Sequence, residues 1–558
     1  MAADAEDPAY RVIREAIKKR KYYRNLLEGY SCDVYIKGNK QFLDAPEKIF
    51  GQEIGDLGGS LDSNRQGIVY LSESVSKFHY QRPNTFKEVM VSSKVSGNDN
   101  GFSFNQANAM NFNPYEPSLD LGRPIISPIA SNAFTFYKYR LEGTFYDKDG
   151  RLINKIEVIP KKTYDPVVSG YIYIVEDSWN FHSIDLHTTA EATKIPVVED
   201  LGLKQLYVPV QDDVWVLLSQ TVSFRIKVFG FDIIGDFTGV FSDYEINPSF
   251  ASNFFGNEIL TVLDNSNEKE LTYWDTIRPI PLTDEEVTDY TKKDSIQVIR
   301  KSKPYLDSMD RKNNRFKPMK LFTGYTYNRS FQKLFISVDP PINTLQFNAV
   351  QGWNLALNTS IRKNLDDVFA KWWRISPSLQ YGFSDNTLRG KVDFTYNFNR
   401  TNFSRLIISG GYMATQFNPN AITETLNTFY ANWFNDHYMK VYDKIYGRAF
   451  YRQEIVNGIF FLGSVEYADR RPLFNNSNYS FAQRDEPFET NNPFNPSLSA
   501  DFFDRHQALL VNLSVRFRIK QKYWNYPDRK FIQGSKWPDL WIRYRRGIPV
   551  LGAESDFD

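Results

Sequence analysis

The chain is nearly empty of cysteine. Cys32 is the single one in 558 residues, which excludes an internal disulfide, a cysteine-rich zinc site and a dithiol redox pair. No run of 18 or more apolar residues occurs, so no transmembrane helix is expected. Net charge is almost absent, with 67 Lys and Arg against 66 Asp and Glu. There is then no global field to draw nucleic acid, which is not expected as a partner. Histidine is scarce: His79, His182, His187, His437 and His506 are the whole set. His182 and His187 stand at an odd spacing on an expected strand and so face opposite ways, unsuited to sharing a metal. There is no P-loop and no Gly-x-Gly-x-x-Gly after a strand, and Gly58-Gly-Ser60 lacks the flanking pattern of a nucleophile elbow. Asp147 and Asp149 fall in a turn, where Asp is favoured for backbone reasons. Asp284-Glu-Glu286 reads as the first turn of a helix. No catalytic, cofactor-binding or metal-binding residue is therefore expected, and the chain is expected not to be an enzyme.

Aromatic residues are abundant: 16% of the chain, with 44 Phe, 34 Tyr and 10 Trp. The mean hydropathy of -0.47 speaks against a helical membrane protein but not against alternating strands, whose two faces average out. In 508–520 the residues Leu509, Val511, Leu513, Val515, Phe517 and Ile519 are apolar, and Asn512, Ser514, Arg516 and Arg518 lie between them. The same period of two runs through Leu388, Val392, Phe394, Tyr396 and Phe398. Such strands have one greasy and one wet face, and their length suits the roughly 9–11 residues a tilted strand needs to cross a bilayer.

In chain order, residues 1–30 open with Asp7-Pro8 as helix start and an apolar stripe at Val12, Ala16 and Tyr23, set among Arg14, Lys18, Lys19, Arg20, Lys21 and Arg24. A basic amphipathic helix would suit an anionic membrane surface; the favoured reading is a packed helix with a solvated basic face. Residues 31–250 form strand after strand, with hairpin signals such as Asp147-Lys-Asp-Gly150. Residues 251–320, rich in charge and proline, read as a linker with short helices. From 321 to 558 period-two strands dominate, at 321–328, 333–338, 345–358, 373–383, 388–398, 405–413, 444–453, 458–467, 508–520 and 540–544. Short connections such as Ser384-Asp-Asn386 and Asn399-Arg-Thr-Asn402 contrast with long Asn- and Phe-rich ones at 416–436 and 473–505. Short turns on one side and long loops on the other is the layout of outer-membrane barrels. In the long loops Tyr430, Trp433, Tyr438, Phe474, Tyr479 and Phe481 form a candidate surface for glycans or proteins; the competing reading packs the loops against one another.

The helix followed by a strand meander over roughly 130–245 resembles the half-barrel of periplasmic lipoprotein carriers and their sensor relatives. That resemblance implies a curved sheet holding acyl chains; the alternative is a β-domain filled by its own side chains. Asp7-Pro-Ala-Tyr10 through Ile17, Tyr30-Ser-Cys-Asp-Val-Tyr-Ile-Lys-Gly38, Asn348-Ala-Val-Gln-Gly-Trp353, Gly458-Ile-Phe-Phe-Leu-Gly463 and Arg470-Arg-Pro-Leu473 resemble an uncharacterised outer-membrane family of Bacteroidota. Its members are usually described as a carboxypeptidase-regulatory-like domain followed by a domain of unknown function. The resemblance implies an exported barrel preceded by periplasmic β-domains, with the regulatory domain absent here.

The expected fold is mainly β: an N-terminal helix, a periplasmic antiparallel domain and a transmembrane antiparallel barrel. The segment Met1–Glu6 shows no export signal and Glu554–Asp558 no terminal barrel strand, so the chain is expected to lack its natural ends and the barrel to be incomplete. The expected role is envelope biogenesis, transport or surface display in the outer membrane, with membrane lipid and other envelope proteins or lipoproteins as partners. A soluble lipid- or lipoprotein-binding β protein, and a surface binding module or hydrolase with its site in the loops, are the alternatives.

Overall fold

The computed structural model describes residues 6–98, 101–103, 105–110, 112–211, 214–481, 487–495, 497–498 and 504–549; both chain ends lie outside them. The chain divides into two compact units, one of Met1–Val298 with Trp524–Pro527, the other of Ile299–Tyr523 with Asp528–Asp558.

In the first unit α1 (Ala9–Asn25) buries Ala9, Val12, Ile13 and Ala16, the i, i+3, i+4, i+7 stripe of one helix face. Asp7 fastens its start, the carboxylate accepting the N–H groups of Ala9 (2.9 Å) and of Leu141 (3.0 Å). The basic face is engaged locally: Arg11 with Glu176, Lys18 with Glu15, Arg20 with the Tyr115 carbonyl and Arg24 with Glu116. That is a solvated face of ordinary surface pairs.

The strands are β1 (Gly29–Asp44), β2 (Gly67–Gln81), β3 (Thr85–Val95), β4 (Tyr137–Tyr146), β5 (Leu152–Pro160), β6 (Ser169–Val175), β7 (Phe181–Thr189), β8 (Val198–Gln211), β9 (Val214–Val228) and β10 (Phe231–Ile246). They lie in the order β3-β2-β1-β10-β9-β8-β7-β6-β5-β4. The meander β4 to β10 is thus extended by β1, antiparallel to β10. Its main core packs Val12, Ile13 and Ala16 of α1 onto Ile156, Ile172, Ile184 and Leu203.

The stretch read as a linker differs from that expectation. Part of it builds the first unit: β11 (Glu258–Val262) adds in parallel to β3, and α2 (Leu271–Ile277) and most of α3 (Asp284–Lys301) fall in the same unit. Trp274 is buried there. A short polar sequence with prolines looks like a linker, but one buried Trp is enough to anchor it.

The second unit is an up-and-down antiparallel sheet in sequential order: β12 (Tyr325–Arg329), β13 (Leu334–Val338), β14 (Gly352–Asn364), β15 (Trp372–Gly382), β16 (Thr387–Asn397), β17 (Arg405–Gln416), β18 (Val441–Val456), β19 (Ile459–Arg471), β20 (His506–Arg518) and β21 (Asp539–Ile548). Among the described residues β12 and β21 are not paired with each other, so the sheet is open; the antiparallel strands expected of an incomplete barrel are present, without closure.

Three local expectations need correction. The stretch 321–328 begins as a helical turn, Lys320–Thr323, and becomes a strand only after Gly324 at φ 84. The stretch 345–358 is a hairpin, Leu345–Asn348 against β14, because the Asn348 side chain accepts the Val350 and Gln351 N–H groups and Gly352 takes φ 64. The loop 416–436 holds α4 (Glu424–Phe434), capped by Thr423 Oγ1 accepting the Leu426 N–H and stopped at Asn435 with φ 60. The connections at 383–386 and 398–404, both read as short turns, fall at opposite ends of the meander; the first shares its end with the long loops 417–440 and 472–505.

The sheet is inverted relative to a water-soluble one. Leu357, Leu379, Leu388, Ile408, Ile445, Val465, Leu513 and Ile542, one from each of β14 to β21, are 40–63% exposed. The other face buries polar side chains: Gln380 donates to Asn354 (2.9 Å) and Ser378 to Asn358 (2.6 Å), with Asn364 and Asn397 buried as well.

Candidate functional site

The first unit contains a cavity of about 550 Å³ where the end of α1 meets the sheet, within the range of about 300–1,000 Å³ of ligand pockets. Tyr23 and Arg24 line it from α1 and Leu27 from just beyond it; Tyr30, Phe78 and Tyr80 come from β1 and β2; Tyr207, Trp215, Leu217, Phe241 and Tyr244 come from β8, β9 and β10. Strand alternation explains the set: Tyr30 lies directly opposite Tyr80 in the ladder and its ring stands 5.3 Å from Tyr80 and 5.8 Å from Tyr244.

The tyrosine hydroxyls are largely occupied by the protein. Tyr23 donates to the Ser178 carbonyl (2.5 Å), Tyr80 to Pro83 (2.9 Å), Tyr207 to Gln205 Oε1 (2.9 Å) and Tyr244 to Leu217 (2.8 Å), and Tyr115 accepts the Phe181 N–H (2.9 Å). Burial pushes Tyr30, Tyr115, Tyr207 and Tyr244 well above the ordinary phenol range, so they stay neutral. What they offer the cavity is ring surface. Charge is confined to Arg24, paired with Glu116 at 3.4 Å, to Arg82, which donates to the Asn25 carbonyl and Glu28, and to Asp120.

One wall is a short segment held by buried polar groups. The carboxylate of Glu88 accepts the Ala107 N–H (3.0 Å), and burial raises its pKa. Gln205 donates to the Phe112 carbonyl and to Gln220, and Gln220 to the Met110 carbonyl (2.6 Å). Unpaired, these buried amides would each cost about 1–3 kcal/mol, so their pairing fixes the wall. A second cavity of about 430 Å³ shares Tyr23 and Trp215 with the first. The chamber combines aromatic ring surface with a polar lining that includes Arg24, Arg82, Glu116 and Asp120, and so can take an amphiphile, its chain against the rings and its head against the charged groups.

The opposite sheet face carries a structural network. Glu73, fully buried, accepts from Tyr35 (2.7 Å), Tyr290 (3.1 Å) and both Nε and Nη2 of Arg278, and Lys37 pairs with Glu286 at 2.9 Å. These contacts bind α2 and α3 to β1 and β2.

The six loop aromatics fall into two groups and a remainder. Tyr430 and Tyr438 meet at 5.5 Å. Trp433 stands 5.8 Å from Phe481, which stands 5.5 Å from Tyr479. Phe474 is half exposed and joins neither group among the described residues. The histidines are scattered. His182 packs edge-on to Trp215 while His187 lies between Asp185 and Asp200 on the surface. His79 contacts Ser31 Oγ at 2.8 Å, His506 faces the Asp504 carbonyl, and His437 is sealed in the interior. Sequence reasoning did not find the tyrosine cavity: its walls come from strands far apart in the chain, and only their pairing brings Tyr30, Tyr80, Tyr207 and Tyr244 together.

Residues 12–244 match a family of unknown function (DUF5686) and residues 319–558 match the C-terminal domain of the same family. None of the curated proteins matches. Among solved structures the chain is similar to a DUF1329 family protein from Desulfovibrio piger ATCC 29098, at 11% identity over 45% of this chain and 98% of that one, with a TM-score of 0.21. A LolA superfamily protein, NE2245 from Nitrosomonas europaea, matches at 9% identity over 44% and 96%, with a TM-score of 0.17. Pseudomonas aeruginosa OccK9 (OpdG) matches at 7% identity over 93% and 99%, with a TM-score of 0.19. At these TM-scores neither fold nor function carries over.

Proposed function

The chain belongs to the DUF5686 family of unknown function and carries both of its domains, and on that premise we propose that it is a non-enzymatic outer-membrane protein with a lipid-binding periplasmic domain. Its second unit spans the membrane as barrel strands, and its first unit takes the apolar chain of a lipid or lipopeptide in envelope biogenesis or transport.

The observation that carries the membrane reading is the inverted sheet. Eight consecutive strands each leave a large aliphatic side chain 40–63% exposed, while the polar face buries Asn, Gln and Ser. Soluble monomers rarely expose so extended an apolar band, whereas in a bilayer it is the lipid-facing band of a barrel, with the polar face lining the interior. These strands run from 10 to 16 residues, enough for the roughly 9–11 that a crossing needs. An open edge is costly in hydrocarbon, so the proposal includes closure of the β12 and β21 edges by pairing in the membrane.

The tyrosine cavity supports the second half. Mass spectrometry of lipid extracted from the purified full chain tests it: a defined acyl-bearing species retained through detergent exchange supports it, and a chain free of lipid removes it. The cavity on its own also favours a soluble lipid carrier; recovery without detergent, from the soluble fraction, would select that reading.

A further inference from the structure

Four arginines meet on the polar face of the second unit. Arg362 and Arg374 oppose each other across β14 and β15, and Arg405 and Arg452 across β17 and β18. Trp372 links the two pairs. It lies opposite Asn397, whose own partner on the next strand is Arg405, and its ring centre is 4.6 Å from the Arg362 Cζ, 5.3 Å from that of Arg374 and 5.2 Å from that of Arg405.

Like charges placed directly opposite on one sheet face repel, and here both members of one such pair and Arg405 of the other lie over one ring. The neighbouring acids are committed elsewhere. Asp367 pairs with Lys333 at 2.5 Å, Asp366 accepts the Ala370 and Lys371 N–H groups, and Glu454 is taken by Lys530 and Gln521. Among the described residues the Nε groups of Arg374 and Arg452 are buried without a hydrogen-bond acceptor. A cavity of about 480 Å³ opens at the first pair, lined by Arg362, Arg374, Asn364, Ser337 and Ser360. Repulsion, idle donors and space together favour an anion at this place.

We propose that this cluster binds a phosphate group. A doubly charged tetrahedral oxyanion gathers its charge at one centre and accepts several guanidinium forks at once, which suits cations packed around a single ring better than a dicarboxylate with its charge divided. The site goes beyond the function proposed above and does not depend on where the second unit resides.

The test uses the full chain purified in a non-ionic detergent. Its thermal unfolding and calorimetric titration are followed with inorganic phosphate, with succinate at equal ionic strength, and with nanodiscs of phosphatidic acid or of phosphatidylcholine. Phosphate raising the unfolding temperature by several degrees more than succinate supports a site for the free anion. Selective binding to phosphatidic acid nanodiscs, with no response to phosphate, supports the same site acting on a lipid headgroup. In either case R374Q and R452Q weaken binding at least ten-fold, while R505Q, in an exposed pair with Asp469, leaves it unchanged. An equal response to succinate, no response to any probe, or binding untouched by R374Q and R452Q overturns the proposal. The wild-type comparison of phosphate with succinate needs no variant to fold.

Discussion

Arg278 grips Glu73 with a two-pronged clamp, Nε at 2.7 Å from one carboxylate oxygen and Nη2 at 2.9 Å from the other, around a side chain with no exposure to solvent. The two lie 205 positions apart, and the clamp makes the segment after β11 part of the first unit. Removing one partner of a buried pair leaves a charge uncompensated, at a cost of about 3–5 kcal/mol. Arg278→Ala is therefore expected to destabilise the first unit by about that amount, read as a lowered urea midpoint followed by Trp fluorescence. A change under about 0.5 kcal/mol would contradict the structural role.

The lipid-facing assignment separates sharply by mutation. Ile408 is half exposed, and in water Ile408→Arg would change stability by no more than about 0.5 kcal/mol. In a bilayer the same change costs about 2–4 kcal/mol near the midplane. Unfolding of the full chain from lipid vesicles is expected to show the larger loss.

The cavity is expected to close when its lining grows. Ala109 lines it and is exposed, so Ala109→Trp has room to enter the chamber without disturbing the core. The variant should keep its urea midpoint and lose most of its extractable lipid. Unchanged lipid content would separate the cavity from lipid binding.

His437 sets a pH dependence. It is buried, both ring nitrogens lack partners among the described residues, and burial pushes its pKa down from 6.5 to about 3. Below pH 6.5 the unfolded chain takes up a proton that the folded chain refuses, so stability falls as pH drops toward 3, by about 1.4 kcal/mol per pH unit. His437→Phe should flatten that part of the stability profile between pH 6 and 4. A profile identical to the wild type would place the proton uptake elsewhere.

Cys32, 3% exposed, has its thiol pushed up to about 12, chiefly by burial. It is expected to resist a chromogenic disulfide reagent at pH 8 until the first unit is unfolded in urea; rapid labelling of the native chain would contradict its placement.

Much of this architecture was legible because a strand announces itself by its own alternation. The stretch 508–520 is β20 at His506–Arg518, and 388–398 is β16 at Thr387–Asn397, each displaced by no more than two residues. Local chemistry could have yielded more: Asn348 and Gly352 mark the hairpin at 345–364, and Thr423 and Asn435 bracket α4. What period two cannot reveal is which strand lies beside which. The Tyr30–Tyr80–Tyr244 cluster, the Glu73 clamp and the arginine pairs all depend on register between strands remote in sequence. The aromatic loop residues were visible as a composition, but only the fold divides them into Tyr430 with Tyr438 and Trp433 with Tyr479 and Phe481.

The most direct test of the central claim is electrophoretic mobility of the full-length gene product from an outer-membrane preparation, boiled against unboiled. The unboiled protein is expected to migrate faster, as a closed, detergent-stable barrel, and to shift on heating. Recovery of the protein in the soluble fraction, with no shift on boiling, would contradict it.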